Sequence, residues 1–515
     1  MRRQRGLLEY HFSVGFEVSM TYPAFHNLIG GEWVPAASGK TILNLNPANH
    51  NDLVGEFPSS HGEDVERAVE AAKKAFRTWR LTPAPKRAEV LRRTGALLQE
   101  RKEKFAREMT REMGKVLAET RGDVQEAIDE AFYVAGEGRR LFGVTTPSEL
   151  ENKFCMSVRM PVGVVGLITP WNFPMAIPSW KLFPALVAGN TCVIKPATDT
   201  PLSVYNLVQT LVDAGLPPGV VNIVCGSGSG AGSALVEHPD VRAISFTGSS
   251  AVGSHVGQSA ARGFKQVSLE MGGKNAQIVM NDANLDLALD GALWGAFGTT
   301  GQRCTATSRI LLQKGIAAEF TEKFVARAKK LKVGNGLDET VEVGPQVNAA
   351  QIETSAMYVE IAREEGAKLL TGGRALAGGE YAHGTFFEPT VFANVKPAMR
   401  IAREEVFGPV VSLIEFETFE EAVEIANSID YGLSTALYTK DVNRAFAAIR
   451  DLEAGITYIN APTIGAEVHL PFGGVKQTGN GHREGLGAID FFTTWKAVYV
   501  DYSDKLQRAQ IDNAE

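Results

Sequence analysis

The sequence predicts an α/β protein in which a doubly wound, mostly parallel sheet is followed by a second α/β unit. Three observations carry this. Short β-rich runs alternate with helix-like segments after Phe154. The repetition of such runs with helices implies a mostly parallel sheet covered on both faces. The alternation then resumes from about Leu285 in a stretch with strands and helices of its own, in a chain of 515 residues that is too long for one ordinary core.

Taken in order, Gly62 to Arg140 places apolar residues at helical spacing among charges, as in DVERAVEAAKKAF and DVQEAIDEAFYVAGEGRR, and reads as amphipathic helices. MSVRMPVGVVGLITP and NTCVIKP are strands separated by a helix, WNFPMAIPSWKLFPALVAG, closed by Gly189. LSVYNLVQTLVDAG is helix, VVNIVCG strand, AGSALVEH helix after a glycine-rich loop, and AISFTG, VSLEMGG and AQIVM are strands. A doubly wound sheet binds ligands at the carboxyl ends of its strands, so the site is expected in those loops. The second stretch runs through ALWGAFGTTGQRC, SRILLQ and FEPTVFANV to GITYINAP, with the boundary expected after Gly273. A late β-type run, TTWKAVYVDYS, needs another chain or element to cover its edge.

Bulk properties narrow the function. Hydrophobic residues are 44%, charged residues 22%, and 52 glycines stand against 23 prolines, a globular balance. The net charge of -7, with basic and acidic residues interspersed, argues against nucleic acid as a partner. Four cysteines without zinc or disulfide spacing suit a reducing compartment, and no apolar run near MRRQR is long enough for a signal peptide or membrane span, so the cytoplasm is expected. MTYPAFHNLIGGEW would make a sensible start, which leaves residues 1–19 as an upstream extension on this reading.

Four side chains carry the chemistry. Cys304, in GTTGQRCTATSR, has small neighbours that permit close approach and Arg303 beside it, whose charge favours a thiolate; read alone, a cysteine is more often buried and structural, and this context reverses that. Glu270, at the end of the strand in VSLEMGGKN, suits a general base, or else a strand-end ion pair. GGKN lacks the GxxxxGK[ST] frame of a phosphate loop. Asn172 in ITPWNFP and Lys195 in VIKPATDT both follow apolar runs at the sheet's mouth, where a turn-forming Asn and a solvated Lys are the plain alternatives. CGSGSGAGSA holds the pattern GxGxxA from Gly226 to Ala231 between a strand and a helix, and FTGSSAVG from Phe246 repeats that arrangement, so either loop can approach a cofactor phosphate.

Together these segments resemble the aldehyde dehydrogenase superfamily from about Pro23 to the C-terminal strand. PWNFP at 170–174, KPA at 195–197, FTGS at 246–249, LEMGGK at 269–274, GQRC at 301–304, EEVFGPV at 404–410 and PFGG at 471–474 stand in the family's order. The resemblance implies an NAD(P)-binding domain at 20–143 and 162–273, a catalytic domain at 274–478, and a small β oligomerisation element at 144–161 and 490–503, assembled as a homodimer or homotetramer. It implies that Cys304 attacks the aldehyde while Asn172 and the Cys304 N–H hold the oxyanion. Hydride passes to nicotinamide, and water activated by Glu270 hydrolyses the thioester. Lys195 and Glu405 are implied as ribose ligands and Phe407 as a neighbour of the nicotinamide ribose. Ser249 is implied near the pyrophosphate, with Thr169, Trp171, Thr198, Gly228, Phe246 and Gly272 completing the cofactor groove. Phe173, Trp180 and Phe472 are implied on the aldehyde tunnel, with ordinary core packing as their alternative.

Two departures bear on specificity. Thr198 stands where NAD-preferring relatives often carry a glutamate, which admits NADP beside NAD. TGNGHREG aligns with the family's GxGRE only after a shift, leaving open whether Arg483 or Glu484 takes the carboxylate position. EMGKVLAETRGDVQE resembles semialdehyde-oxidising branches, and Arg303 is either a bidentate donor to a substrate carboxylate or an arginine turned into a structural salt bridge. Glu467 and His469 are further candidates for tail contacts. A carboxylate-bearing semialdehyde is therefore the leading substrate, with simple aliphatic or aromatic aldehydes as the alternative. A CoA-acylating relative is disfavoured by Glu270. A catalytically silent cofactor-binding protein has no need of all four reactive residues.

Overall fold

The computed structural model describes residues 23–481 and 485–512. The expectation for residues 1–19 and the ambiguity at Arg483 and Glu484 lie outside the described residues.

The first sheet has seven strands in the order Gln266–Glu270, Val241–Thr247, Val164–Ile168, Thr191–Lys195, Val221–Ile223, Asn27–Ile29 and Glu32–Val34. The first five run parallel, and the hairpin Asn27–Val34 adds an antiparallel edge. Alternation within the strands explains the two covered faces. Val165, Leu167, Cys192 and Ile194 pack with the helices Ala84–Met113, Ala176–Ala188 and Pro201–Asp213, whereas Val164, Ile168, Val193 and Ile244 pack with Gly62–Trp79 and Ser250–Ala261. Successive side chains of a strand point to opposite faces, so apolar residues at adjacent positions are what a sheet with helices on both sides requires. Register then aligns the strand ends. Ile168 pairs with Lys195, Phe246 with Ile168 and Thr247 with Glu270, which sets Glu270, Thr247 and Lys195 along one carboxyl edge.

Past Glu270 the chain crosses in four residues to Asn275, the first residue of a strand in the second sheet. That sheet is ordered Lys368–Thr371, Thr390–Ala393, Val410–Phe416, Thr307–Gln313, Asn275–Val279, Ser434–Tyr438, Ile456–Ile459, parallel apart from its first strand. A cleft therefore lies between the carboxyl edge of the first sheet and the amino edge of the second. A third sheet pairs Lys153–Pro161 with Val144–Pro147 and with Thr493–Asp501, all antiparallel. It leaves Phe154, Trp495 and Tyr499 exposed.

One local reading is corrected. AGSALVEH does not form one α-helix: Gly228–Gly232 winds as a single π-turn before the short helix Ser233–Glu237. The Ser227 side chain accepts the Gly230 N–H at 3.0 Å, and glycines carry little helical preference of their own to resist the wider winding. Among the described residues no helix is long and apolar enough to cross a membrane.

The helix Leu117–Glu137 is tied beneath the cleft by a buried ion pair. Lys115 Nζ donates to Asp123 Oδ2 at 2.6 Å, both side chains are 0% exposed, and Asp123 Oδ1 accepts the Ala176 N–H at 2.7 Å. Removing one partner strands the other charge in low dielectric, at about 3–5 kcal/mol. Lys115→Met is expected to lower the midpoint of chemical unfolding by that order, and adding Asp123→Asn is expected to recover part of the loss; a single variant with an unchanged midpoint would contradict this.

Candidate active site

A cavity of about 220 Å³ opens in the cleft, and Asn172, Cys304, Trp171, Ser249, Gly272, Glu405 and Phe407 lie on its wall with Thr247, Met271 and Gln351. Cys304 comes from the loop that precedes the strand Thr307–Gln313 and is partly exposed. Asn172 comes from the turn after Val164–Ile168. It is buried, and its Nδ2 donates to Gln302 O at 3.1 Å, so the amide is held against the loop that carries the cysteine. Trp171 meets Phe407 edge to face, with ring centroids 5.2 Å apart.

Glu270 is 2% exposed at its strand end, and its main-chain oxygen accepts the Gly248 N–H at 3.1 Å. Its carboxylate lies on the side of Gly481: a Cβ on that glycine would stand 2.7 Å from Glu270 Oε1. Glu270 is thus behind Met271 and Gly272 rather than on the cavity wall in this conformation.

The residues implied for the cofactor divide into three groups. Glu405 Oε1 accepts the Gly273 N–H at 3.0 Å, and a Cβ on Gly272 would come within 2.0 Å of Glu405 Oε2, so any larger residue there would displace the Glu405 carboxylate. Burial pushes the Glu405 carboxyl up to about 7. Lys195 Nζ is buried and donates to the carbonyls of Pro196 at 2.6 Å and Gly226 at 3.2 Å, and burial pushes it down to about 8. Thr198 is exposed at the mouth, and Ser249 caps the helix Ser250–Ala261. Gly228 is exposed with open space where a Cβ would go, so the close approach in this loop belongs to Gly226, whose Cβ would come within 2.6 Å of Ser60 O. Phe246 sits in the core: its ring packs against Gly248 and Gly253 and lines no part of the cavity.

Two buried hydroxyls test whether a ligand fits. Thr169 Oγ1 and Thr247 Oγ1 have no hydrogen-bond partner among the described residues, yet both stand on the carboxyl edge that faces the cleft. Orphaned buried hydroxyls beside a glycine-lined opening and an acceptor carboxylate suit a polar ligand rich in hydroxyl and phosphate groups.

On the other side of Cys304, Arg303 is only 11% exposed on its side chain. Its Nη2 pairs with Glu119 Oε1 at 3.0 Å and its Nε donates to Thr299 Oγ1 at 2.9 Å. The Phe173 ring has Arg303 Cζ at 5.2 Å and Lys115 Nζ at 3.9 Å from its centroid. Trp180 packs on Phe472 at 5.6 Å, and Phe173 joins the small cluster of Ala176, Ile177 and Trp180. Glu467 and His469 pair with each other at 3.6 Å on the surface.

Sequence reasoning missed Glu119, Gln351 and the environment of Lys274. Gln351 Nε2 donates to the carbonyls of Val406 and Phe407, holding the segment that carries Glu405. Lys274 is 1% exposed, its Nζ has no hydrogen-bond partner among the described residues, and burial pushes it down to about 7. Its segment reads as an incomplete phosphate loop and as the end of the LEMGGK motif, and neither predicts a buried ammonium. Glu119 lies within EMGKVLAETRGDVQE, the segment that resembles semialdehyde-oxidising branches, but nothing there points to its partner Arg303, 184 residues away.

Comparison with known proteins gives the family. The model of the aldehyde dehydrogenase family matches residues 33–498. The alpha-ketoglutaric semialdehyde dehydrogenase of Bacillus subtilis is 46% identical over 92% of this chain and 97% of its own. The alpha-ketoglutarate semialdehyde dehydrogenase of Haloferax volcanii is 43% identical over 94% and 100%. A solved betaine aldehyde dehydrogenase of Staphylococcus aureus in complex with NAD+ superposes with a TM-score of 0.91 at 36% identity, covering 93% of this chain and 95% of that one. A cysteine and an amide on one wall, a buried carboxylate behind them, and a family match along nearly the whole length lead to one conclusion: this chain belongs to the aldehyde dehydrogenase family and is an NAD(P)-dependent aldehyde oxidoreductase.

Proposed function

We propose that this enzyme oxidises a small semialdehyde bearing a carboxylate to the corresponding acid. The observation that carries the reading is Arg303. Its Nε and Nη2 are held by Thr299 and Glu119, while Nη1 takes part in neither bond, so the guanidinium next to the nucleophile is oriented with donors to spare. The names of the Bacillus and Haloferax relatives support an acidic tail.

In this mechanism Cys304 Sγ adds to the aldehyde carbon. Asn172 Nδ2, already aimed at the loop through Gln302 O, donates with the Cys304 N–H to the oxygen that gains charge. The bound nicotinamide supplies the hydride acceptor that takes the carbon to the acid level. Glu270, turned from Gly481 towards the cavity, removes a proton from water, which adds to the thioester; the C–S bond breaks and the thiolate returns. Glu405, Lys195 and Ser249 would hold the cofactor. We assign residues 20–143 and 162–273 to cofactor binding and 274–478 to catalysis. The sheet of 144–161 and 490–503 is assigned to homodimer or homotetramer assembly, in the cytoplasm. A second reading, a simple aliphatic or aromatic aldehyde as substrate, is favoured by the Glu119 ion pair, which neutralises Arg303, and by the aromatic trio Phe173, Trp180 and Phe472.

A panel of ω-carboxylated and uncharged aldehydes separates these readings. Arg303→Met is expected to raise KM for the carboxylated members by about tenfold or more, the worth of a charge-assisted hydrogen bond. An equal change for both classes would remove the acidic-tail assignment.

Glu405 and Lys195 set a pH window for the cofactor. The Glu405 carboxyl accepts most strongly from ribose hydroxyls when ionised, above about 7, and Lys195 is mostly charged below about 8. Cofactor Kd, followed by fluorescence without aldehyde, is expected to rise as pH falls through 7 and again as it climbs through 8. Glu405→Gln should flatten the acid limb, and a Kd independent of pH between 6 and 9 would sink the window.

Exposed, neutral Thr198 places no charge against a 2′-phosphate, so the cofactor is read as NADP or NAD, with NADP favoured. Thr198→Glu is expected to cut kcat/KM for NADP by at least tenfold while sparing NAD. A native enzyme that strongly prefers NAD would contradict the preference.

A further inference from the structure

The helix Leu285–Phe297 ends ten residues before the strand Thr307–Gln313, and the connection carries Cys304. Three consecutive residues of it are left-handed: Thr299 at φ 51, Thr300 at φ 57 and Gly301 at φ 69. Glycine takes this conformation freely. A β-branched threonine does not, and two in succession form a segment that relaxes unless something outside it holds it.

The bonds around that segment converge on Glu119. Both carboxylate oxygens accept the Thr299 N–H at 2.8 Å, Oε2 accepts the Thr299 hydroxyl at 3.1 Å, and Oε1 accepts Arg303 Nη2 at 3.0 Å. Arg303 Nε closes the ring on Thr299 Oγ1 at 2.9 Å. One carboxylate thus draws residues 299 and 303 together and shapes the turn between them. A mere counterion for Arg303 would have no reason to direct most of its contacts at Thr299. Glu119 is itself anchored, lying in the first turn of Leu117–Glu137, whose Leu117 N–H donates to Gly336 O at 3.0 Å.

We propose that Glu119 is a positioning residue that clamps the left-handed turn at Thr299 and Thr300 and so sets where Cys304 stands; the proposal rests on Cys304 being the nucleophile. It acts on the loop whatever the tail of the aldehyde, which separates it from the part Arg303 plays with acidic substrates.

The test uses full-length enzyme with saturating cofactor, iodoacetamide as the thiol probe and propanal as an aldehyde without a carboxylate. Glu119→Gln is expected to slow Cys304 alkylation and to lower kcat for propanal, each by tenfold or more, with the cofactor KM changed less than twofold. Thr299→Gly in the Glu119→Gln background should restore alkylation at least threefold, because glycine holds the turn without a clamp. Native alkylation and propanal kcat in Glu119→Gln overturn the proposal. So does a loss confined to carboxylated aldehydes, which would mean that Glu119 serves Arg303 alone, and so does a loss that Thr299→Gly leaves unrecovered. Should Glu119→Gln not fold, Glu119→Asp keeps the charge with a shorter reach: at least threefold slower alkylation is expected, and an unchanged rate overturns the clamp. Cys304→Ala separates the two levels. Turnover retained there removes the nucleophile and the clamp with it; turnover abolished there leaves the Glu119 variants to decide the clamp alone.

Discussion

The chain has to reverse direction between Phe297 and Thr307 and still present residue 304 at the edge of the cleft, and the left-handed turn at 299–301 is how it does so. The neighbours are built around that constraint. Gly301 sits so close to Gly408 that a Cβ would come within 2.1 Å of its carbonyl oxygen. Gln302 spreads its groups outward: its carbonyl accepts Asn172, and its Oε1 accepts the Val347 N–H at 3.0 Å. Thr300 Oγ1 donates to Gly344 O at 2.9 Å. The Asn172 amide, the segment carrying Glu405 and Phe407, and the helix Leu117–Glu137 are therefore all referenced to one short turn.

Burial sets the electrostatics of the cleft. An acid, Glu405, is pushed up and two bases, Lys195 and Lys274, are pushed down, and in each case removal from water is the first cause. The opposed shifts bring all three near neutrality. A fourth charge, Arg309, is also fully buried and also pushed down by burial, to about 9, but it directs three of its N–H donors to the carbonyls of Lys274, Ile425 and Ala426, two of them at the C-terminal end of the helix Phe419–Asn427. Saturating those donors lets a guanidinium serve as a structural tie. Lys274 beside it, without such acceptors, remains able to respond to Glu405.

Much of this was legible in the chain. Apolar β-rich runs alternating with helix-period segments located the strands of both units, and the resemblance of the ordered motifs to the aldehyde dehydrogenase family put Cys304, Asn172, Glu405, Ser249 and Gly272 in one place, where the cavity wall holds them. Other features were misread for identifiable reasons. Phe246 lies in a motif that reaches the cleft, but its position in the pleat turns the ring into the core. The loop from Gly226 to Ala231 has the spacing of a phosphate turn, while its close contact falls at Gly226 and its winding is π.

What the sequence by itself determined is the alternation of strands and helices and the edge of the sheet where ligands are expected, since these follow from periodicity and short-range backbone preference; the candidate reactive side chains came from the resemblance of its ordered motifs to the aldehyde dehydrogenase family. Tertiary structure alone decided the partner of Arg303, the orientation of Glu270 towards Gly481, and the ionisation of Glu405, Lys195 and Lys274. Those depend on directional bonds between residues more than a hundred positions apart and on how much water is left around each charge, and neither is written into any local stretch of chain.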